Sequence, residues 1–486
     1  MEYQERRKPS FFEKFALGIV DFFKAFGMFF VKLYKAIVDG FIRFGKRFLD
    51  GSIGTKLSYF IMGAGNFFHK RILKGIIYLS IQIGFFAIMI LSPEVNHTPI
   101  GLKAIRNFAT LGTIEGDLFT RTDNSMLMLL FGVVTFGLIF MYLFAYVSNT
   151  KSSYLADTLV REGKVPQTFK QDLHSLIDER FHITMITPSI LGIVAFTALP
   201  TIFMIFIAFT DYDQTIIAGQ HLFNWVGLAN FRAIFDGKSE IAVRFIPVVT
   251  WTLTWAVFAT FTCYIGGILV ALLINGKTIK LKKLWRTVFM LTIAIPQFIS
   301  LLAVRQLLSL SGPINTLLVN MHIISQPIEF LGNATNGILP KVMVILINIW
   351  IGIPFTMLMT SGILMNIPAD LYEAAQIDGA NKVQIFFKIT LPYVVFVTTP
   401  YLISSFVGNI SAFNVIFLLT GGGPTVTGFQ AGHTDLLVTW LYKLTIDLGD
   451  YNQGAVVSIL TFLLTATGTL LTYRRSKAFK EEDTFQ

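Results

Sequence analysis

Residues 340–365 read PKVMVILINIWIGIPFTMLMTSGILM, and residues 366–392 continue NIPADLYEAAQIDGANKVQIFFKITLP. The first part is apolar and long enough to cross a bilayer as a helix, which takes about 20 residues for a hydrocarbon layer of ~30 Å. A helix is the workable geometry there, because a lone strand would leave backbone groups unpaired in lipid. The second part changes character at once. Asn366 can cap a helix, and Pro368 suits its first turn. Asp370 and Glu373 put negative charge near that N-terminus, where the helix dipole favours it. Gly379 permits the left-handed turn that ends the helix. A second short helix then runs to Leu391-Pro392, where proline is expected to stop it before the next span. The stretch therefore predicts a membrane span followed by a compact helix-turn-helix at the membrane surface. Its apolar Leu371, Ala374, Ala375 and Ile377 suit insertion into a groove on another protein.

Working outward, the same kind of run recurs. Eight spans are expected, at 72–91, 126–147, 183–210, 247–274, 285–309, 340–365, 393–419 and 454–473. Composition agrees: 53% of the 486 residues are hydrophobic and only 14% charged, against about 25% charged in a soluble domain. The fold class expected is an all-α polytopic membrane protein. Pro188, Pro200, Pro247, Pro296, Pro354 and Pro400 fall within spans. Such helices bend or break, which brings polar backbone to a cavity or is a harmless kink. The single cysteine, Cys263, excludes an intramolecular disulfide framework and a multi-cysteine metal site. It lies in an apolar run and is expected as a small buried hydrophobe.

The net charge of +10 follows topology rather than nucleic acid. Lys277, Lys280, Lys282 and Lys283 crowd one loop, and Lys151, Arg161, Lys164, Lys170 and Arg180 another on the same side. Arg474, Arg475, Lys477 and Lys480 follow the last span, and the N-terminal segment is basic too. The 310–339 loop on the opposite side has no Lys or Arg, and the 420–453 loop has Lys443 alone. Lys and Arg collect on the cytoplasmic side, so both termini are expected there, with an even number of crossings. No secretory signal peptide is evident. Residues 9–50 are Phe-rich yet broken by Lys14, Asp21, Lys24, Lys32, Lys35, Asp39, Arg43 and Lys46. That spacing predicts one polar stripe on a helix. The helix either lies in the membrane interface or packs on another cytoplasmic element.

No span carries a ladder of acidic or histidine residues of the kind a proton-driven transporter needs. Arg305 sits near the outer end of the fifth span, where it can snorkel to the interface. Energy is therefore expected from outside the chain. Residues 271–278 fit a loose Walker A pattern, with Ala271 replacing the first glycine. A true P-loop joins a strand to a helix, whereas Ala271 finishes an apolar span and Lys277 opens a basic loop. No nucleotide site, catalytic residue or resident cofactor is assigned, and the chain is expected not to be an enzyme.

Glu373-Ala374-Ala375, Gly379, Ile389 and Leu391-Pro392 resemble the EAA loop of ABC importer permeases at every position of its pattern, and its place, two spans before the C-terminus, matches too. The resemblance extends over residues 183–473, including Thr210-Asp211-Tyr212, residues 223–231 and Leu419-Thr420-Gly421-Gly422-Gly423-Pro424. It implies a type I importer core at 183–473 with the coupling loop at 366–392, preceded by a cytoplasmic amphipathic segment, 1–71, and two accessory spans, 72–182, and followed by a tail, 474–486. In that family the loop docks in a cleft of the ATPase, so Glu373, Ala374, Ala375, Asp378 and Gly379 are the expected coupling residues. The nearest family picture is the maltose and maltodextrin permeases. Their prototype has a large folded insertion after its third span, where only about 211–246 stand here.

By the same resemblance Trp350, Ile351, Gly352, Phe355, Ser405, Gly408 and Asn409 fall on sugar-contacting positions. Phe355 stands where the prototype has a tyrosine, and Ala412 where it has an asparagine. Ser405 and Asn409 share a helix face, and they either meet substrate or bond between helices. The family implies a second permease subunit, two copies of a cytoplasmic ABC ATPase, an extracytoplasmic solute-binding protein and an oligosaccharide substrate. The setting implied is the inner membrane of a bacterial or archaeal cell. An autonomous secondary transporter or channel is the alternative.

Overall fold

A computed structural model describes residues 11–95, 97–113, 124–214, 222–276, 279–332 and 337–475. The first ten residues, Lys277, Thr278 and the tail at 476–486 lie outside the described residues. Among the described residues seven helices are long and apolar enough to cross a membrane, or eight where one bent pair counts as a span. Contacts divide the chain into a unit Phe23–Leu228 and a unit of Ala229–Gln486 with Met1–Phe22. The helix Phe181–Ile207 groups with the first unit.

The first unit holds α1 (Phe11–Asp50) from Phe23 onward, and this leads through two short helices, Ile53–Leu57 and Ala64–Phe68, into α2 (Ile72–Leu91). After α3 (Leu102–Ala109) come α4 (Ser125–Arg161) and α5 (Phe181–Ile207). The short helices carry polar backbone ends into a buried region, so side chains must satisfy them. Asn149, fully buried on α4, accepts from the Gly63 amide at 2.9 Å and donates to the Ser58 carbonyl at 3.0 Å. Asp157 accepts from the Ser52 amide at 2.7 Å and from Arg161 at 3.1 Å. Arg71 pairs with Asp172, which Lys74 also reaches at 3.0 Å. Phe85 of α2 stacks on Tyr142 of α4 at 3.9 Å. At the other end the Trp225 indole donates to the Phe108 carbonyl at 2.8 Å.

In the second unit, α6 (Ala229–Phe235) precedes α7 (Glu240–Asn275), the helix against which the others pack. Gly267 of α7 faces Thr356 and Met357, where a Cβ would come within 2.5 Å of the Thr356 side chain. Gly352 faces Cys263 as closely, at 2.5 Å from its Sγ. Small residues at both places let the two backbones approach, as membrane helices require. Next come α8 (Lys282–Ala294) and α9 (Gln297–Leu307), bent by 88°. Pro296 stands at the break and cannot donate a backbone bond, so the stretch expected as a fifth span is two helices bent at a proline. The partners of α7 are α10 (Ile338–Met365) and, after a short α11 (Ala369–Ile377), α12 (Lys382–Ile410). Then follow α13 (Phe413–Leu419), α14 (Leu437–Tyr442) and α15 (Tyr451–Arg475). Trp251, Trp255, Leu301, Val344, Ile347, Ile416 and Leu436 form the main apolar core of this unit.

Pro392, expected to stop a helix, does not, and Pro200 lies within a continuing span as expected. A π turn at Phe386–Thr390 lies directly ahead of Leu391-Pro392, and another at Val194–Ala198 ahead of Leu199-Pro200. In each the amide before the proline reaches back five residues, Leu391 to Phe386 and Leu199 to Val194. The shift in bonding register absorbs the missing proline N–H, and the helix runs on. Ala271 and Ile274 are buried within α7, so helix, not a strand, leads into the Walker-like segment.

The loop between α13 and α14 is a folded element. Gly421 and Gly422 have φ of 59° and 81°, a conformation that favours glycine. The Trp251 indole donates to the Thr434 carbonyl at 3.1 Å, and Arg244 to that of Gly432 at 3.1 Å. Burial, with the charges of Lys341 and Arg244, pushes the His433 imidazole below its ordinary value.

Candidate functional site

The hairpin between α10 and α12 begins two residues later than its sequence implies. Asn366 is the C-terminal cap of α10, its amide bonded to the Ile363 carbonyl at 3.0 Å. Pro368 takes the cap position of α11 and Asp370 falls in the first turn, where the dipole favours it. The far end closes on Gly379 at φ 78°. The Ala380 amide reaches the Ala375 carbonyl at 2.9 Å and the Gly379 amide reaches Gln376 at 3.1 Å, the paired bonds of a Schellman motif. Asn381 and Gln384 then form a capping box that starts α12, a signal present in the sequence and not used in its reading.

Glu373, Ala374, Asp378 and Gly379 are exposed and Ala375 is half-buried. Leu371 is exposed, and Ile377 stands 86% exposed at the tip of the helix. An apolar side chain so placed on an acidic-capped helix suits a groove on a partner. The underside of α11 is held by Tyr372, whose hydroxyl lies 3.1 Å from the Thr390 hydroxyl. Thr390 is buried and belongs to the π turn. Removing this bond with Tyr372→Phe is expected to cost about 1 kcal/mol locally. Hydrogen exchange should then speed up in α11 amides and stay unchanged in the spans; equal exchange in α11 would show that the bond does not hold the hairpin.

The expected substrate positions do not all converge. Phe355 is exposed, and Ile351 half-buried lies close to it around α10. Trp350 is five residues from Phe355, about 140° away around a helix of 3.6 residues per turn. It continues the exposed stripe of Val342 and Leu346 instead. Gly352 is taken up by the approach to Cys263. On α12, Gly408 is exposed with open space at its Cβ and Ser405 is half-buried. Asn409 donates to the Thr260 hydroxyl at 2.9 Å, and its carbonyl accepts from the Trp255 indole at 3.1 Å. In this conformation it bonds between helices. The structure adds Tyr401, whose ring lies 5.9 Å from Phe355 and whose hydroxyl is 3.4 Å from that of Thr356. It stands four residues before Ser405, on the same face, which the sequence could have disclosed.

Residues 263–478 match the family of binding-protein-dependent transport system inner membrane components. The maltodextrin transport system permease protein MalC of Streptococcus pneumoniae is 33% identical over 433 residues, covering 87% of this chain and 95% of that protein. The galactooligosaccharides transport system permease protein GanP of Bacillus subtilis is 32% identical over 423 residues, covering 87% and 97%. Among solved structures, a chain of a bacterial alginate ABC transporter, in complex with an alginate pentasaccharide-bound periplasmic protein, superposes with TM-score 0.51 at 24% identity. That match covers 63% of this chain and 97% of the other. With its apolar spans and capped hairpin, the chain belongs to the binding-protein-dependent transport system inner membrane components, alongside the maltose- and maltodextrin-type ABC importer permeases.

Proposed function

We propose that this chain is one of two permease subunits of an importer that moves an oligosaccharide, a maltodextrin or a close relative, into the cytoplasm. The observation that carries the reading is α11: a helix with Ile377 exposed at its tip and a Schellman close at Gly379. It would seat in a cytoplasmic ATPase, present in two copies, where ATP is hydrolysed. Closure of the ATPases would push α11, and α12 would carry the movement into the span past the π turn. The sugar, released by an extracytoplasmic binding protein, would meet Phe355, Ile351, Ser405 and Gly408, with Tyr401 supplying a hydroxyl beside Phe355. Asn409 would join them only after leaving Thr260. Both termini would lie in the cytoplasm of a bacterial or archaeal cell.

Reconstitution tests this. The complete complex in proteoliposomes, given its binding protein, is expected to take up labelled maltodextrins only with ATP inside the compartment that holds the ATPase. Substitution Phe355→Ala is expected to raise the sugar concentration for half-maximal uptake about tenfold, the loss of ~1.4 kcal/mol of contact. Solute movement by the chain alone, without any ATPase, would overturn the reading.

A further inference from the structure

Helix α1 is 40 residues long, about 60 Å at 1.5 Å per residue, yet it is not among the apolar spans. Its residues sort onto two faces. At about 100° per residue, Lys24, Lys32, Lys35, Asp39, Arg43 and Lys46 fall within roughly a third of the circumference. Leu33, Tyr34, Ile37 and Phe41 fall on the opposite side and are exposed, Phe41 by 72%. The anchoring lies at the C-terminal end. Phe44 and Phe48 meet the Tyr59 ring edge-on at 4.8 and 5.1 Å, and the Tyr59 hydroxyl donates to the Phe44 carbonyl at 2.6 Å. Next to them Arg47 keeps Nη1 out of solvent without a hydrogen-bond partner.

We propose that α1 lies in the plane of the membrane interface and binds anionic lipid. An aromatic face this long is unsuited to water, and no charge interrupts it that would repel acyl chains. Sunk about 5–10 Å into the boundary of headgroups and acyl chains, it would leave the lysine stripe level with the lipid phosphates. Over residues 24–46 that stripe carries five cations against Asp39, with Asp21 and Asp50 beyond its two ends in the sequence, so the complement is an anionic surface. Through the Phe44, Phe48 and Tyr59 cluster, the helix would brace the short helices that enter α2.

Nitroxide labels on the full chain test this in nanodiscs. The buried Cys263 is first replaced by alanine, and cysteines are placed at Tyr34, Ile37, Phe41 and Asp39. With phosphatidylglycerol present, the labels at Tyr34, Ile37 and Phe41 are expected to be more accessible to oxygen than to a nickel chelate, and the label at Asp39 the reverse. In phosphatidylcholine alone, or with Lys32→Glu, Lys35→Glu and Lys46→Glu combined, that contrast should weaken. Labels at Ile37 and Phe41 shielded from both reagents would mean a protein covers this face and would overturn the proposal. Equal depth in both lipids would overturn its dependence on anionic headgroups.

Discussion

Replacing Gly379 with proline is expected to abolish ATP-driven transport while leaving the chain folded in the membrane. Gly379 has φ 78°, and proline is held near −65°. Proline would also remove the amide that bonds to Gln376 and would displace Ala380 from Ala375. The combined cost is about 3 kcal/mol or more, concentrated in the turn that aims α12 away from α11. Gly379→Ala provides the graded control. A Cβ there meets nothing within 4 Å, so its penalty is the left-handed backbone alone, about 1–2 kcal/mol. Partial loss is expected for alanine and complete loss for proline. Glu373→Lys tests the surface without the fold, because Glu373 is exposed. It is expected to weaken capture of the ATPase by tenfold or more, about 1.4 kcal/mol, with thermal stability unchanged. Copurification with the ATPase and ATP hydrolysis in proteoliposomes measure both. Wild-type coupling in the proline variant would show that the hairpin does not transmit force.

The spans were legible because lipid demands long apolar helices, and nothing local competes with that demand. The break at Pro296 was legible as a break but not as a bend of 88°, since the angle is set by what packs around it. Asn366 and Pro392 misled for a shared reason. Each residue type suits two roles, and neighbours chose between them. Asn366 closes α10 instead of opening α11, and Pro392 continues a helix because a π turn precedes it. Side-chain direction was partly readable. The five-residue spacing of Trp350 and Phe355 already places them on different faces, while the bond from Asn409 to Thr260 joins residues far apart in the chain and has no sequence signature. Asp435 has near partners in the chain, yet nothing local in the sequence marks it as fully buried.

Substituting Asp435 with alanine is therefore expected to produce the largest loss of stability of any single change outside the spans. Asp435 accepts from Lys443 at 2.6 Å, from the Gly432 amide at 2.7 Å and from the Thr439 hydroxyl at 2.9 Å. Gly422 leaves room for it: a Cβ there would stand 1.8 Å from Asp435 Oδ1. Removing the carboxylate strands Lys443, only 18% exposed, and breaking a buried pair in this way costs about 3–5 kcal/mol. Lys443→Ala should be as damaging, because it leaves the fully buried carboxylate without its cation. Replacing both with apolar residues of similar size is expected to recover much of the loss, since neither charge is then left alone. The effect should reach beyond the pair. The loop it pins receives the Trp251 indole and the Arg244 guanidinium, so loosening it should release the neighbouring end of α7. Thermal unfolding of the wild type and the three variants in nanodiscs measures this. Two single variants with wild-type melting temperatures would show that backbone bonds alone hold the loop.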